Sequence, residues 1–261
     1  MVLVRVVGEE VAVAAEPGSL DADLADASLS LARRFAAGAT LWCWSPRWPE
    51  HAQHVAVEFV HPVIVGKRAL PAEAVDVADP VGALRALVSP GDVLLAIAEA
   101  SDPDVRSAML RAPAWGAGTI WIGTGARPGP GAADHVLWLD DESGTAVRSG
   151  EIALMYHLLW ELTHVCFEHP GLLVDRDAVC EGDVCVTCSD EGRLAEVISA
   201  QQPCVATVRT AAGREEIDTT LVEPLETGDL VLVHAGMAIE RLGDAADARD
   251  ERGAGGSELG R

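Results

Sequence analysis

Hydrophobic residues follow two different periods along this chain, and each period predicts a different kind of structure. Between residues 92 and 139, continuous apolar runs are separated by segments with helical spacing or with glycine and proline. The runs are Asp92–Ala98, Gly118–Gly123 and His135–Leu139. Apolar strands that alternate with helices are typical of a parallel sheet that is covered on both faces. The sequence therefore predicts an α/β domain in this part of the chain.

Apolar residues with helical spacing lie on both sides of these strands. The predicted helices are Asp21–Ala37, Pro49–Val60, Asp79–Val88, a segment from about 103 to 111, and Gly150–Phe167. The further predicted strands are Val2–Val7, Val11–Ala15 and Thr40–Trp44. The long last helix is expected to pack across the parallel sheet.

After the last helix, the apolar residues recur at every second position, which is the period of a β-strand. The predicted strands are Leu194–Ser199, Cys204–Thr210, Glu215–Val222 and Leu230–Ile239. Short strands that are separated by turns predict a small β-barrel. We expect β segments at 1–19, an α/β domain at 20–168, a linker at 169–182, the barrel at 183–242 and a disordered tail at 243–261.

The charge of the chain excludes several classes of partner. The formal net charge is −22, so the protein should repel phosphate backbones and anionic membrane surfaces, and we expect no nucleic-acid or membrane partner. No apolar run approaches the roughly 20 residues of a membrane span, and the N-terminus lacks the features of a signal peptide. These observations predict a cytoplasmic protein.

Cysteines are concentrated around the start of the predicted barrel. Cys180, Cys185 and Cys188 lie close together, Cys204 follows, and His234 lies on the last predicted strand. In a reducing compartment this clustering favours metal or redox chemistry over disulfides. A structural zinc site on the four cysteines is one interpretation. The other is a transition-metal site that combines thiolate and imidazole ligands.

The C-terminal segment resembles the HypC/HupF family of [NiFe]-hydrogenase maturation chaperones. The resemblance rests on Cys185-Val-Thr-Cys188 and on the run Gly228-Asp-Leu-Val-Leu-Val-His234-Ala-Gly. It implies that Cys185 and His234 hold iron that carries cyanide and carbon monoxide, the Fe(CN)2CO precursor, with Cys188 in a supporting role. The implied partners are a HypD-like scaffold protein and the precursor of the hydrogenase large subunit.

The N-terminal segment resembles the SIS (sugar isomerase) fold, specifically the phosphoheptose isomerases. The motifs are Ala52-Gln-His54-Val-Ala-Val-Glu58 and His157-Leu-Leu-Trp-Glu161. The resemblance implies an α/β SIS-like domain that forms a homodimer, and acid–base isomerisation by Glu58 and His157 if activity is retained.

The turn that binds phosphate in that family differs here. The residues are Ile97-Ala-Glu99-Ala-Ser101-Asp102-Pro103, so two carboxylates accompany one serine. Carboxylates repel a phosphate, which leaves Ser101 as a weak candidate ligand-binding residue. We therefore expect an α/β domain and a barrel that act together as a hydrogenase assembly chaperone. A phosphosugar isomerase, or a SIS protein that binds a sugar phosphate, is the alternative.

Overall fold

The computed structural model describes residues 2–6, 9–13, 19–139, 149–174, 192–202, 204–222 and 224–243. Its α-helices are α1 Leu20–Ala36, α2 Pro49–Val60, α3 Pro80–Leu87, α4 Pro103–Arg111 and α5 Ser149–Glu168. The strands in the first part are β1 Val2–Val6, β2 Glu9–Val13, β3 Leu41–Trp44, β4 Ala72–Val75, β5 Val93–Ile97, β6 Gly118–Thr124 and β7 His135–Leu139. The strands in the second part are β8 Arg193–Gln202, β9 Val205–Thr210, β10 Gly213–Asp218, β11 Leu230–His234 and β12 Met237–Gly243.

A parallel sheet with the strand order β4-β3-β5-β6-β7 forms the centre of the α/β domain. All side chains of β5 are buried, as expected for a strand that is covered on both faces. One apolar layer packs the sheet against α1, α2 and α5. A second layer on the other face packs it against α3, α4 and the 3₁₀ turn Ala112–Trp115. The predicted α/β class is confirmed.

Strand β4 is an element that the sequence analysis missed. It lies at the edge of the sheet, where Leu41 of β3 pairs with Ala72. Its sequence, Ala-Glu-Ala-Val, is short and contains only one β-branched residue, so neither its length nor its composition indicates a strand. Pairing with β3 is what makes it a strand.

Asp92 connects the amino ends of β3 and β5. Its buried carboxylate accepts hydrogen bonds from the backbone N–H groups of Thr40 and Ser89, both at 2.8 Å. It also accepts a bond from the indole N–H of Trp42 at 3.0 Å. Since three donors converge on one carboxylate, Asp92 holds the start of the strand pair in register.

The second part of the chain folds into a closed barrel with the strand order β10-β12-β11-β8-β9. The predicted barrel is confirmed, but its last predicted strand, Leu230–Ile239, is wrong, because it consists of the two antiparallel strands β11 and β12. Ala235 and Gly236 form the turn between them, with φ of 50° and 80°. Two consecutive positive φ angles are typical of a type I′ hairpin turn. The predicted strand Glu215–Val222 is also too long, since β10 ends at Asp218.

The barrel is attached to the α/β domain through a buried carboxylate, that of Glu196 on β8. One carboxylate oxygen accepts hydrogen bonds from Arg85 on α3 at 3.0 Å and from Arg111 on α4 at 2.9 Å. The other accepts the indole N–H of Trp115 at 2.9 Å. Arg111 also donates to the backbone carbonyl of Gly228 in the barrel. This single carboxylate therefore connects two helices and a 3₁₀ turn to the barrel.

Arg209 makes a second connection beside the first. It lies on β9 directly opposite Glu196. Its guanidinium donates to the backbone carbonyls of Arg85 and Val88, the latter at 2.7 Å. In both contacts, a barrel side chain forms hydrogen bonds with groups of the α/β domain. These bonds determine how the two parts are oriented.

In the described part of the chain, no helix combines the length and the apolar character that crossing a lipid bilayer requires.

Candidate functional site

His234 is the last residue of β11 and lies at one end of the barrel. Its side chain is half-buried, and the residue pairs with Met237 across the type I′ turn. The turn places the imidazole at the rim, where it is held by the strand but remains accessible to solvent. An imidazole in such a position can bind a metal ion from solution.

The same end of the barrel contains Cys204. Strand β10 links the two residues, because Asp218 N–H donates to the carbonyl of Gly236 and Thr219 N–H donates to that of Cys204, both at 2.9 Å. Cys204 is half-buried rather than fully buried, and its φ is 60°. From the sequence, Cys204 is a possible fourth zinc ligand, although a buried, inert thiol is the favoured interpretation; the structure places it half-buried instead.

The described chain also enters the barrel at this end. Arg193, the first residue of β8, pairs with Val233, the neighbour of His234. Cys180, Cys185 and Cys188 lie between residues 175 and 191, outside the described residues. Their predicted roles therefore stay predictions.

The α/β domain contains a second cluster, at the contact between α2 and α5. His54 Nε2 lies 3.3 Å from Glu58 Oε1, and His157 Nε2 lies 3.7 Å from the same oxygen. The ligand atoms of the three residues all lie within 4.8 Å of one another. The side chains of His54 and His157 are 44% and 41% exposed, so an ion can reach them from solvent.

A chain of hydrogen bonds leads from this cluster into the domain. Tyr156 Oη lies 2.9 Å from His54 Nδ1 and 3.3 Å from His51 Nδ1. His51 Nε2 in turn lies 2.8 Å from Ser149 Oγ. Burial lowers the pKa of His51, whereas burial and the Glu58 carboxylate raise the pKa of Tyr156. Both shifts favour the neutral imidazole and the neutral phenol at neutral pH.

The chemistry of this cluster allows two uses. A carboxylate and an imidazole in contact are suitable groups for proton transfer. Two imidazoles and a carboxylate also form the three-ligand set of many zinc sites, with the fourth position open. The sequence analysis selected Glu58 and His157, and the structure brings them together. It did not select Tyr156. The spacing of residues along α5 does not indicate that the Tyr156 hydroxyl contacts histidines on α2.

An ion pair and a buried serine lie at the edge of the sheet where a parallel sheet of this kind binds ligands. Connections run in opposite directions from β3 and β5, so ligands are expected between their carboxyl ends. There the guanidinium of Arg47 donates to Glu99 at 3.0 Å, and Ser45 donates to the carbonyl of Ile97 at 2.8 Å. Ser101, in the turn that follows β5, is exposed. The ion pair therefore adds a carboxylate at the edge of the sheet where a ligand is expected.

The thiols of the α/β domain have low reactivity. Burial raises the pKa of both Cys43 and Cys166, which keeps these groups protonated at neutral pH. They are therefore poor metal ligands.

Comparison with known proteins identifies the barrel. Residues 193–252 match the sequence model of the HupF/HypC family. The C-terminal barrel is HupF/HypC-like. The matched segment of the HupF/HypC-like barrel includes His234 but begins eight positions after Cys185, so that cysteine lies outside it. The family resemblance that rested on the residues around His234 is confirmed.

The α/β domain is similar to solved structures at low sequence identity. A phosphoheptose isomerase from Francisella tularensis is 19% identical, with 57% of this chain and 88% of that chain covered and a TM-score of 0.49. One from Neisseria gonorrhoeae is 19% identical, with 55% and 87% covered and a TM-score of 0.46. The C-terminal domain of glucosamine-fructose-6-phosphate aminotransferase from Francisella tularensis is 20% identical, with 57% and 40% covered and a TM-score of 0.38. A comparison with curated proteins gives no match.

Proposed function

We propose that this protein is a [NiFe]-hydrogenase assembly chaperone. The observation that carries the proposal is the match of residues 193–252 to the HupF/HypC family, with His234 at the accessible end of the matched barrel. Cys185 and His234 are the proposed ligands of the iron cargo, the Fe(CN)2CO precursor. The proposed partners are a HypD-like scaffold and the hydrogenase large-subunit precursor, and the proposed place of action is the cytoplasm.

Chain connectivity supports the pairing of Cys185 with His234. Gly192 follows Cys185 by seven positions, and the next residue, Arg193, pairs beside His234. Seven residues can span at most about 25 Å even when fully extended. A thiolate from this segment is therefore within reach of the imidazole.

The proposed ligand pair suits a carrier. A thiolate donates strongly to iron, and an imidazole on a strand end provides a second ligand at a defined place. Two protein ligands leave positions for the diatomic ligands and for a cysteine of the partner. Such an incomplete set allows the iron to be passed on.

The test is co-purification of the full chain with a HypD-like scaffold, followed by measurement of iron and of the cyanide and carbonyl infrared bands. We expect Cys185→Ala and His234→Ala each to lower the iron content about 10-fold or more, since each removes a ligand. Cys188→Ala and Cys204→Ala are the matched controls and should retain the bands.

Wild-type iron and bands in Cys185→Ala would exclude this cysteine as a ligand and refute the proposal for this site. Stoichiometric zinc, together with loss of folding on chelation, would instead favour the structural zinc site.

We further propose that the α/β domain forms a homodimer through α2 and α5. Val57, Leu154 and Leu158 on these two helices are 51%, 60% and 42% exposed. Apolar side chains that are grouped in this way on a surface are typical of an interface between protein chains. A second copy of the chain is the proposed occupant, and it would cover the side of the domain that contains His54 and His157.

Leu154→Glu should therefore shift the protein from dimer to monomer in analytical ultracentrifugation, because it places a charge in the proposed interface. Leu110→Glu is the matched control, since Leu110 is 49% exposed but lies on α4, on the opposite face of the sheet. A wild-type monomer, or a dimer that tolerates Leu154→Glu, would exclude this interface.

A phosphosugar isomerase is the second candidate function. The contact between Glu58 and His157 favours it, since the two residues could move protons between neighbouring carbons of a sugar. The Arg47–Glu99 ion pair and the carboxylates of the following turn argue against it. Turnover of sedoheptulose 7-phosphate that depends on Glu58 and His157 would establish the isomerase instead.

A further inference from the structure

The imidazole of His164 lies between two backbone carbonyl groups. The residue is on α5 and is only 2% exposed. Its Nδ1 lies 2.9 Å from the carbonyl oxygen of Trp160, one turn earlier on α5, and its Nε2 lies 3.0 Å from the carbonyl oxygen of Arg68. Carbonyl oxygens only accept hydrogen bonds, so each ring nitrogen must carry a proton to form its bond. Both bonds therefore exist together only when His164 is an imidazolium ion.

A neutral His164 would lose one of these two bonds. The neutral ring carries a single proton, so one nitrogen would turn its lone pair toward the carbonyl oxygen beside it. The contact with Trp160 lies within one helical turn, whereas the contact with Arg68 joins α5 to a separate segment of the chain. Loss of the Nε2 proton therefore breaks the contact between the two segments and keeps the bond within the helix.

The surroundings of His164 favour the charged ring in two ways and oppose it in one. The Trp160 ring lies 4.4 Å from the imidazole between centroids, close enough for a cation–π attraction. The two hydrogen bonds are charge-assisted when the ring is protonated, which makes each of them stronger than a bond between neutral groups. Burial opposes the charge. The two bonds and the neighbouring ring offset that cost.

The elements packed around His164 carry charged side chains of both signs. They are Arg33 on α1, Glu58 on α2, His61, Lys67 and Arg68 between α2 and β4, and Glu161, Glu168 and His169 at the end of α5. Lys67 Nζ lies 3.3 Å from Glu161 and 2.9 Å from Glu168. Lys67 holds the pKa of Glu168 below its usual value, and the charges of His169 and His164 add to the effect. Glu168 is therefore ionised at neutral pH and attracts a charged His164 one helical turn away.

The segment that His164 contacts, residues 61–71, connects α2 to β4 and is attached through its second half. Leu70 N–H donates to a backbone carbonyl of α2 at 2.8 Å, and the Arg68 guanidinium lies 4.9 Å from the centre of the Phe167 ring. The first half is apolar but open to solvent, with exposures of 82%, 47% and 101% for Val63, Ile64 and Val65. Exposed side chains contribute little packing energy, so the position of the segment depends on the contacts around Arg68.

We propose that His164 is a proton-dependent latch that fixes residues 61–71 to α5. The imidazolium donates to Trp160 and Arg68 together and closes the latch. Loss of the Nε2 proton opens it, because the Arg68 carbonyl then faces a lone pair and the segment can move away from the helix. The latch is closed at lower pH and opens as the pH rises. It uses neither Cys185 nor His234, so it is independent of the proposed iron transfer.

Two measurements on the full chain between about pH 5 and 9, the range in which most histidines titrate, test the latch. Nitrogen chemical shifts in protein labelled with ¹⁵N-histidine report whether each ring nitrogen carries a proton. Hydrogen exchange of the hydrogen-bonded Lys67 and Leu70 amides, corrected for the intrinsic effect of pH, reports whether the segment is closed. We expect two ring protons on His164 at the lower pH. Amide protection should fall about 10-fold or more as Nε2 loses its proton.

Three variants assign the effect to His164. His164→Gln has a neutral side chain that does not titrate, so the protection of the segment should no longer depend on pH. His61→Ala is the matched control, because it removes the exposed histidine of the same segment and should keep the wild-type pH dependence. Lys67→Met removes the ion pairs with Glu161 and Glu168. It should lower the protection by a similar factor at every pH and leave the pH dependence in place.

The ring nitrogens of the wild type decide the outcome even if His164→Gln does not fold, which circular dichroism would reveal. A single proton on the His164 ring while the segment is protected would overturn the proposal. Protection that stays constant over the whole pH range would overturn it too, as would a pH dependence that persists in folded His164→Gln.

Discussion

Replacing Glu196 with alanine should lower the free energy of unfolding by about 3–5 kcal/mol, the range for removing one partner of a buried ion pair. The Glu196 and Arg111 side chains are only 3% and 6% exposed, so water cannot replace the lost carboxylate without rearrangement. The variant would also leave the indole N–H of Trp115 without its acceptor. Urea unfolding followed by tryptophan fluorescence measures the effect, because Trp115 lies in the affected contact.

Glu196→Gln separates the charge from the hydrogen bonds. The amide keeps one acceptor oxygen but loses the charge attraction to Arg85 and Arg111. We therefore expect a free energy of unfolding between those of the wild type and the alanine variant. Glu215→Ala is the matched control, since this half-buried carboxylate pairs with the exposed Arg193 in the barrel, with side chains that are 31% and 46% exposed. Its effect should be at most about 1 kcal/mol. Equal stability of Glu196→Ala and Glu215→Ala would show that the buried carboxylate does not hold the barrel in place.

Asp92→Ala should destabilise the protein nearly as much as Glu196→Ala. We expect the free energy of unfolding to fall by about 3 kcal/mol or more, because the substitution leaves several buried donors unsatisfied. The N–H groups of Thr40 and Ser89 and the indole of Trp42 would all lose the same acceptor. Thermal unfolding monitored by circular dichroism measures the change, with a clear decrease of Tm as the expected result.

Asp102→Ala provides the comparison for this prediction. Asp102 accepts one bond, from Val105 N–H at the start of α4, so its loss should cost only about 1 kcal/mol, as for other helix caps. The loss of stability in Asp92→Asn should lie between the losses in Asp92→Ala and Asp102→Ala, since the amide oxygen can still accept from one of the donors. If Asp92→Ala were no more harmful than Asp102→Ala, the converging bonds would not stabilise the strand pair.

Local periodicity predicted most of the elements in the α/β domain. Helix α2 spans Pro49–Val60, and strand β7 spans His135–Leu139, as the spacing predicts. Proline at the first turn of α2 and apolar residues at helical spacing are signals that a few neighbouring residues contain. The edge strand β4 was missed because its conformation comes from pairing with β3 rather than from its own residues.

At the end of the barrel, the sequence predicts one strand where the structure has two. The residues from Leu230 to Ile239 are mostly apolar, and Gly236 is the one turn-favouring residue among them. Alanine is also rare at a positive φ, so Ala235 gives no sign of the hairpin in which it lies. The antiparallel pairing of β11 with β12 shows the turn, which places His234 at the end of β11.

By itself, the sequence determined the fold classes, the strong negative charge and the residue types that could bind a metal or transfer a proton. These properties depend on composition and on short-range spacing. Only the tertiary structure decided which of these residues meet. Tyr156 and His54 are about a hundred positions apart, and Glu196 is as far from Arg85. Contacts over such separations depend on how helices and strands pack, which no local pattern records. The position of the Cys185 thiol relative to His234 belongs to the same class of property, and the iron measurement tests that pairing directly.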